Sequence, residues 1–191
     1  MPRSTTPRSR ALLAALCAGV LLGFPAAAGA GSGGVGPGGA AGASPTVAGG
    51  KAKLLRSGLA AAPDNAPAAV KRAIAAGAIP GPVDRVAGGG HRNWRSRCYD
   101  CSGTVSYVLG PKGAGILDSP LPSGAFRKWG TRGRGSWITV YYNGGHAYVV
   151  IAGLRLDTSQ PDDGADGPGW SKDVKAGLVN GPFRKRHYPG L

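Results

Sequence analysis

Residues 99–109 read Tyr99-Asp100-Cys101-Ser102-Gly103-Thr104-Val105-Ser106-Tyr107-Val108-Leu109. Val105, Val108 and Leu109 recur at i, i+3 and i+4, the spacing of one helix face. Gly88-Gly89-Gly90 lies just upstream, so a loop turns into a helix at this point. That puts Cys101 in the first helical turn, where backbone N–H groups have no intrahelical acceptor. The partial positive charge at a helix start favours thiolate over thiol. A thiolate is the nucleophile that cysteine hydrolases use.

The second informative stretch runs from Tyr141 to Ser159. Asn143-Gly144 between apolar runs is a hairpin signal, and Gly153 marks a second turn. Three antiparallel strands follow, with His146 opening the middle one and Asp157 late in the third. A Cys, then a His, then an acid able to orient the imidazole is the papain-type order of nucleophile, base and orienter. Cys101, His146 and Asp157 are therefore the candidate catalytic residues. Tyr99, Asp100 and Ser102 beside the cysteine, with His91 and Trp94 from the preceding loop, are the candidate substrate-binding residues.

Two motifs carry a family resemblance. Tyr99-Asp100-Cys101-Ser102-Gly103 and Gly145-His146-Ala147-Tyr148-Val149 resemble the signatures of the NlpC/p-sixty family of secreted cell-wall cysteine peptidases. The resemblance spans Ala62 to the C-terminus. It implies an α+β, papain-like NlpC-type fold, with the nucleophile helix packed on an antiparallel sheet. It also implies cleavage of amide bonds in peptidoglycan stem peptides, often between D-glutamate and a diamino acid. Relatives of that fold include amidases and acyltransferases. The family more often carries His, Asn or Gln where this chain has Asp157, and Cys98 departs from its signature.

The chain has 191 residues, which makes one domain the default. Arg3, Arg8 and Arg10 precede a short apolar run from Ala11 to Phe24, and Ala26-Ala27-Ala28 and Ala28-Gly29-Ala30 fit a small-residue cleavage site. Residues 1–30 read as a secretory signal peptide, too short to span a membrane comfortably. Its removal implies an extracellular or wall-associated protein with no stable membrane span. Residues 31–50 hold nine glycines, with Pro37 and Pro45, and read as a flexible linker. Residues 51–191 form the folded domain.

Formal net charge is +14, and all nine acids are Asp. Without residues 1–30 the chain keeps 20 Lys and Arg, for a charge of about +11. Such a surface favours peptidoglycan or another anionic wall polymer, with no obligate nucleic acid. Arg127 to Arg134 is basic around Trp129, and Arg184 to Arg186 adds a second cluster. A non-catalytic module gripping a wall polyanion through these segments is the alternative reading.

Two cysteines beyond the signal do not make a disulfide framework, so stability rests on an apolar core. Cys98-x-x-Cys101 raises a redox lock or a zinc site with His91 or His146, but a second ligand pair is missing. No metal or cofactor is expected. Asp162, Asp163 and Asp166 fit no calcium-loop spacing. Elsewhere, Ala62 to Gly77 predicts a helix capped by Asp64 or Asn65, and Ala78 to Arg97 a loop. Ser123 predicts the cap of a short helix reaching Trp129. Trp137 to Tyr142 predicts a strand, and 181–189 a closing one.

Overall fold

The computed structural model describes residues 45–79, 87–159, 167–175 and 181–191. Residues 1–30, read as a signal peptide, residues 31–44, read as linker, and Asp162, Asp163 and Asp166 lie outside these described residues. The architecture is α+β, with two sheets and two α-helices among the described residues.

The first sheet joins β1 (Thr46–Val47), β2 (Lys53–Leu54) and β3 (Ala60–Pro63) in the order β1-β3-β2. β1 runs parallel to β3 and β2 antiparallel to it. Two expectations are corrected here. Thr46 and Val47, assigned to the linker by their glycine-rich surroundings, pair with Ala62 and Pro63. Ala62 and Pro63, read as the start of a helix, instead end the buried strand Ala60–Pro63. Alanine favours helix by propensity, but Pro63 and Pro67 bracket a turn that no helix can cross. The helix α1 therefore spans Ala68–Ala76, with Pro67 at its N-cap and no side-chain cap from Asp64 or Asn65. Val70, Ala73 and Ile74 are its buried face. At its end, a Cβ on Gly77 would lie 2.3 Å from the Trp170 ring, so only glycine admits this contact.

The helix α2 spans Cys101–Leu109 and packs against α1 and the second sheet. That sheet has six strands in the order β4-β9-β5-β6-β7-β8. They are β4 (Thr131–Arg132), β5 (Ile138–Tyr142), β6 (Ala147–Ile151), β7 (Leu154–Asp157), β8 (Gly169–Ser171) and β9 (Arg184–His187). Every neighbouring pair is antiparallel. The strands anticipated on either side of Asn143 and Gly153, and the closing strand, are β5, β6, β7 and β9. The short helix anticipated at Ser123 is a 3-10 turn, Ser123–Lys128, entered from Pro122 without a side-chain cap.

The core lies between α2 and the sheet. Val105, Val108 and Leu109 meet Val140, Val149, Ile151 and Leu156, all fully buried. The turn between β6 and β7 has Ala152 at φ 48° and Gly153 at φ 90°. Both residues adopt the left-handed conformation that a tight two-residue hairpin needs. α2 packs on β6 and β7, so its first turn and the starts and ends of those strands are held together. Among the described residues no helix is long and apolar enough to cross a membrane.

Candidate active site

Asp100 builds the start of α2. Its Oδ1 accepts from the Gly103 amide at 2.7 Å, the N-cap bond that stabilises a helix start. Its Oδ2 accepts from Gly88 N at 3.0 Å. Gly89 O accepts from Asp100 N at 3.2 Å, so the triple-glycine loop is tied to the same turn. A Cβ on Gly103 would lie 2.1 Å from Gly89 O, which makes glycine obligatory at that position. Cys101 is the first helical residue and is half-buried. Its own amide and that of Ser102 lie in the first turn, where the helix supplies no acceptor.

His146 is placed by the loop that precedes β6. Asn143 Oδ1 accepts from Gly145 N at 3.0 Å and from His146 N at 2.8 Å, while Asn143 N donates to His146 O at 3.0 Å. The side chain of Asn143 thus shapes the connection, where the sequence suggested a two-residue Asn-Gly turn. His146 Nε2 lies 2.9 Å from Asp157 Oδ1 and 3.0 Å from Ser159 Oγ. That leaves the other ring nitrogen without these two partners, and the His146 side chain is among the groups that lower the thiol of Cys101. His146 and Asp157 are 3% and 1% exposed.

Asp157 is held in turn. Its Oδ1 accepts from the amides of Thr158 at 2.7 Å and Ser159 at 3.3 Å. Arg155 Nε lies 3.8 Å from Oδ2, with the guanidinium 5.9 Å from the centre of the Tyr148 ring. Phe183 sets its edge against both His146 and Tyr148. Burial and hydrogen bonding compete in this set. Burial pushes the Cys101 thiol up, but hydrogen bonds from His146 and the Ala147 backbone, and the His146 charge, bring it below its ordinary value. Burial pushes His146 down, but hydrogen bonds to Asp157 and Cys101, and their charges, lift it to about 9. Burial pushes Asp157 up, but its hydrogen bond to His146 and that residue's charge hold it below the usual carboxylate range. All three shifts are in the direction that favours the ionised form of the group.

The five candidate substrate-binding residues do different work. Tyr99 is 2% exposed, and its hydroxyl donates to Trp94 O at 2.9 Å and accepts from Ser96 N at 3.0 Å. Burial pushes that phenol up. Ser102 is buried, with Oγ 3.2 Å from Asp100 Oδ1 and 3.3 Å from His91 Nε2. Asp100 spends both oxygens on the loop and the helix. Tyr99 and Ser102 thus make their hydrogen bonds within the loop and the turn, while Asp100, partly exposed, holds the triple-glycine loop and the helix start together.

His91 keeps a partly exposed ring, with Nε2 3.0 Å from both oxygens of Asp100. Ser102, His91 and Asp100 do not form a second relay, since a single ring nitrogen meets both partners. Trp94 packs at the far end of α2: a Cβ on Gly110 would lie 2.3 Å from its ring. Nine residues of helix, about 13 Å, separate that end from Cys101.

No disulfide joins Cys98 to Cys101. Cys98 is buried, with its sulfur 3.9 Å from Ser96 Oγ. Among the described residues no three His, Cys or Asp side chains cluster as a metal site. Asn143, Arg155 and Ser159 were not anticipated. For two of them a signal existed, because 155, 157 and 159 alternate along β7 and its extension and so fall to one side. No family model, curated protein or solved structure matches this chain.

Proposed function

We propose that this chain is a secreted cysteine hydrolase of papain-like, NlpC-type fold that cleaves amide bonds in the peptide stems of peptidoglycan. One observation carries the reading: a buried His146 ring 2.9 Å from Asp157 Oδ1 that also interacts with Cys101, the first residue of a helix. The substrate class rests on the resemblance of residues 99–103 and 145–149 to the cell-wall peptidases. The cationic surface suits an anionic wall.

In this mechanism the Cys101 thiolate attacks the carbonyl carbon of a peptide bond. The oxyanion is received by first-turn amides of α2, each such donor worth about 3 kcal/mol in the transition state. His146 gives its proton to the leaving amine, which departs with the C–N bond. A water then enters, loses its proton to His146 and releases the acid from the thioester. Asp157 holds the ring throughout and stabilises the imidazolium. Each step uses groups of this chain and water.

The test is a digest of defined muropeptides by the protein and by its Cys101→Ala variant, read by mass spectrometry. New free amines that need Cys101 are expected, and the mass of the fragments identifies the bond. Transfer to an added amine in place of water would mark an acyltransferase of the same fold. Turnover that persists in Cys101→Ala overturns the reading.

A further inference from the structure

The 3-10 turn, β4 and β9 line a groove that the hydrolytic chemistry leaves unused. One cleft of about 610 Å³ is bordered by Arg127, Arg132, Tyr142, Arg184, Lys185 and Arg186. A second, of about 620 Å³, is bordered by Arg127, Tyr142, Arg184, Asn143 and Gly144. The shared Arg127, Tyr142 and Arg184 make the two continuous. Strand pairing explains the crowding of charge. Arg132 on β4 stands directly opposite Arg186 on β9, and Arg184 is two residues from Arg186 on the same face.

Like charges directly opposite on paired strands destabilise a sheet. Here none of these cations has an acidic partner among the described residues. No acidic side chain among those residues borders either cleft. Arg186 donates to the carbonyls of Arg127 and Gly130, which fixes the 3-10 turn carrying Arg127 against β9. Lys185 lies over the Tyr141 ring, 5.7 Å from its centre. Arg127, Arg132 and Arg184 remain exposed to solvent.

We infer that this groove binds a linear phosphodiester polymer, held by its repeating backbone charge. A single phosphate would satisfy two or three cations and leave the rest opposed. Two joined clefts bearing four arginines call for a ligand with several charges in series. Guanidinium forks match phosphate oxygens in pairs, and arginine dominates this lining. Tyr142 is the one aromatic residue among the described ones lining the groove, and it is 5% exposed, so no ring is offered for base stacking. A polymer without bases, such as a polyol phosphate, fits better than a single-stranded nucleic acid. The inference is independent of the hydrolase reading.

The test measures binding of the full chain to poly(glycerol phosphate), to inorganic phosphate and to oligothymidine, by titration over a range of salt. The polyol phosphate should bind, inorganic phosphate at equal phosphate concentration should not, and oligothymidine should bind no tighter than the polymer. Arg127→Ala with Arg184→Ala should weaken polymer binding at least tenfold. The slope of log affinity against log salt should fall by about 1.4, at roughly 0.7 for each lost phosphate contact. Arg56→Ala with Lys112→Ala removes equal charge from exposed sites outside the groove and should change affinity little.

Equal loss in that control overturns the inference, as does equal binding of inorganic phosphate. Tighter binding of oligothymidine transfers the groove to nucleic acid and overturns the polymer assignment. Cys101→Ala should bind the polymer as the wild type does. A protein that cleaves muropeptides but ignores the polymer sinks this inference alone. One that binds the polymer but cleaves nothing sinks the hydrolase reading alone.

Discussion

Asp157→Asn removes a charge and keeps the shape of the site. Three donors converge on Oδ1: the His146 ring, the Thr158 amide and the Ser159 amide. They hold an oxygen there, so the carboxamide of the variant keeps its NH2 group at the other position and still accepts from Nε2. What is lost is electrostatic. The rise of His146 from 6.5 to about 9 corresponds to about 3 kcal/mol in favour of imidazolium. The hydrogen bond to Asp157 leads the causes that raise it, ahead of Cys101.

Without that charge, burial prevails and the pKa of His146 falls. Cys101 then loses a cationic neighbour, and its pKa rises. The pH window in which thiolate and imidazolium coexist closes from both sides. The assay is alkylation of Cys101 by iodoacetamide across pH, read on the Cys101 peptide by mass spectrometry. In the wild type the rate should rise below the pH at which an ordinary thiol ionises. In Asp157→Asn the rise should move to higher pH, with at least a tenfold lower rate near neutrality. Turnover should fall by about 10²–10⁴-fold. Superimposable alkylation profiles would refute the coupling and with it the role given to Asp157.

Stability should also depend on pH. The folded pKa of His146 is raised, so its contribution is complete below 6.5 and is lost as pH passes through about 9; melting temperature should fall over that range in the wild type and much less in His146→Gln. Gly103→Ala places a Cβ 2.1 Å from Gly89 O and should cost about 1–3 kcal/mol in denaturant unfolding, with loss of turnover as the first turn shifts. Arg155→Met strips a cation from 3.8 Å beside a buried carboxylate and should cost about 3 kcal/mol. Since the low pKa of Asp157 makes its contribution present above 3.8 and lost on acidification, that variant should unfold at higher pH than the wild type in an acid titration; an unchanged midpoint would exclude the interaction.

The parts legible in the sequence are those written in regular spacing. Val105, Val108 and Leu109 gave α2 because a helix face repeats every three to four residues. The apolar runs around Asn143 and Gly153 gave β5, β6 and β7, and so fixed the chain order of cysteine, histidine and acid. The misread parts are those where tertiary context overrode local preference. Ala60–Pro63 is a strand because Thr46 and Lys53 flank it from distant positions, which alanine propensity cannot reveal. The structural part of Asp100 was not legible either, because Gly88, Gly89 and Gly103 bring backbone within its hydrogen-bonding range. That approach is set in space and has no sequence period.

Burial alone opposes the site. It raises the thiol, lowers the imidazole and raises the carboxylate, so for each group it favours the neutral form. Ionisation survives only because each charge is the partner of the next, and the last is faced by Arg155. Such a chain is cooperative: removing any member returns its neighbours to the state that burial dictates. Tautomer follows from the same contacts. Asp157 and Ser159 both meet Nε2, and a proton on that nitrogen leaves the lone pair of a neutral ring on Nδ1. A histidine with its partners exchanged between the two nitrogens would have the same residues and the same burial, and could not take the thiol proton.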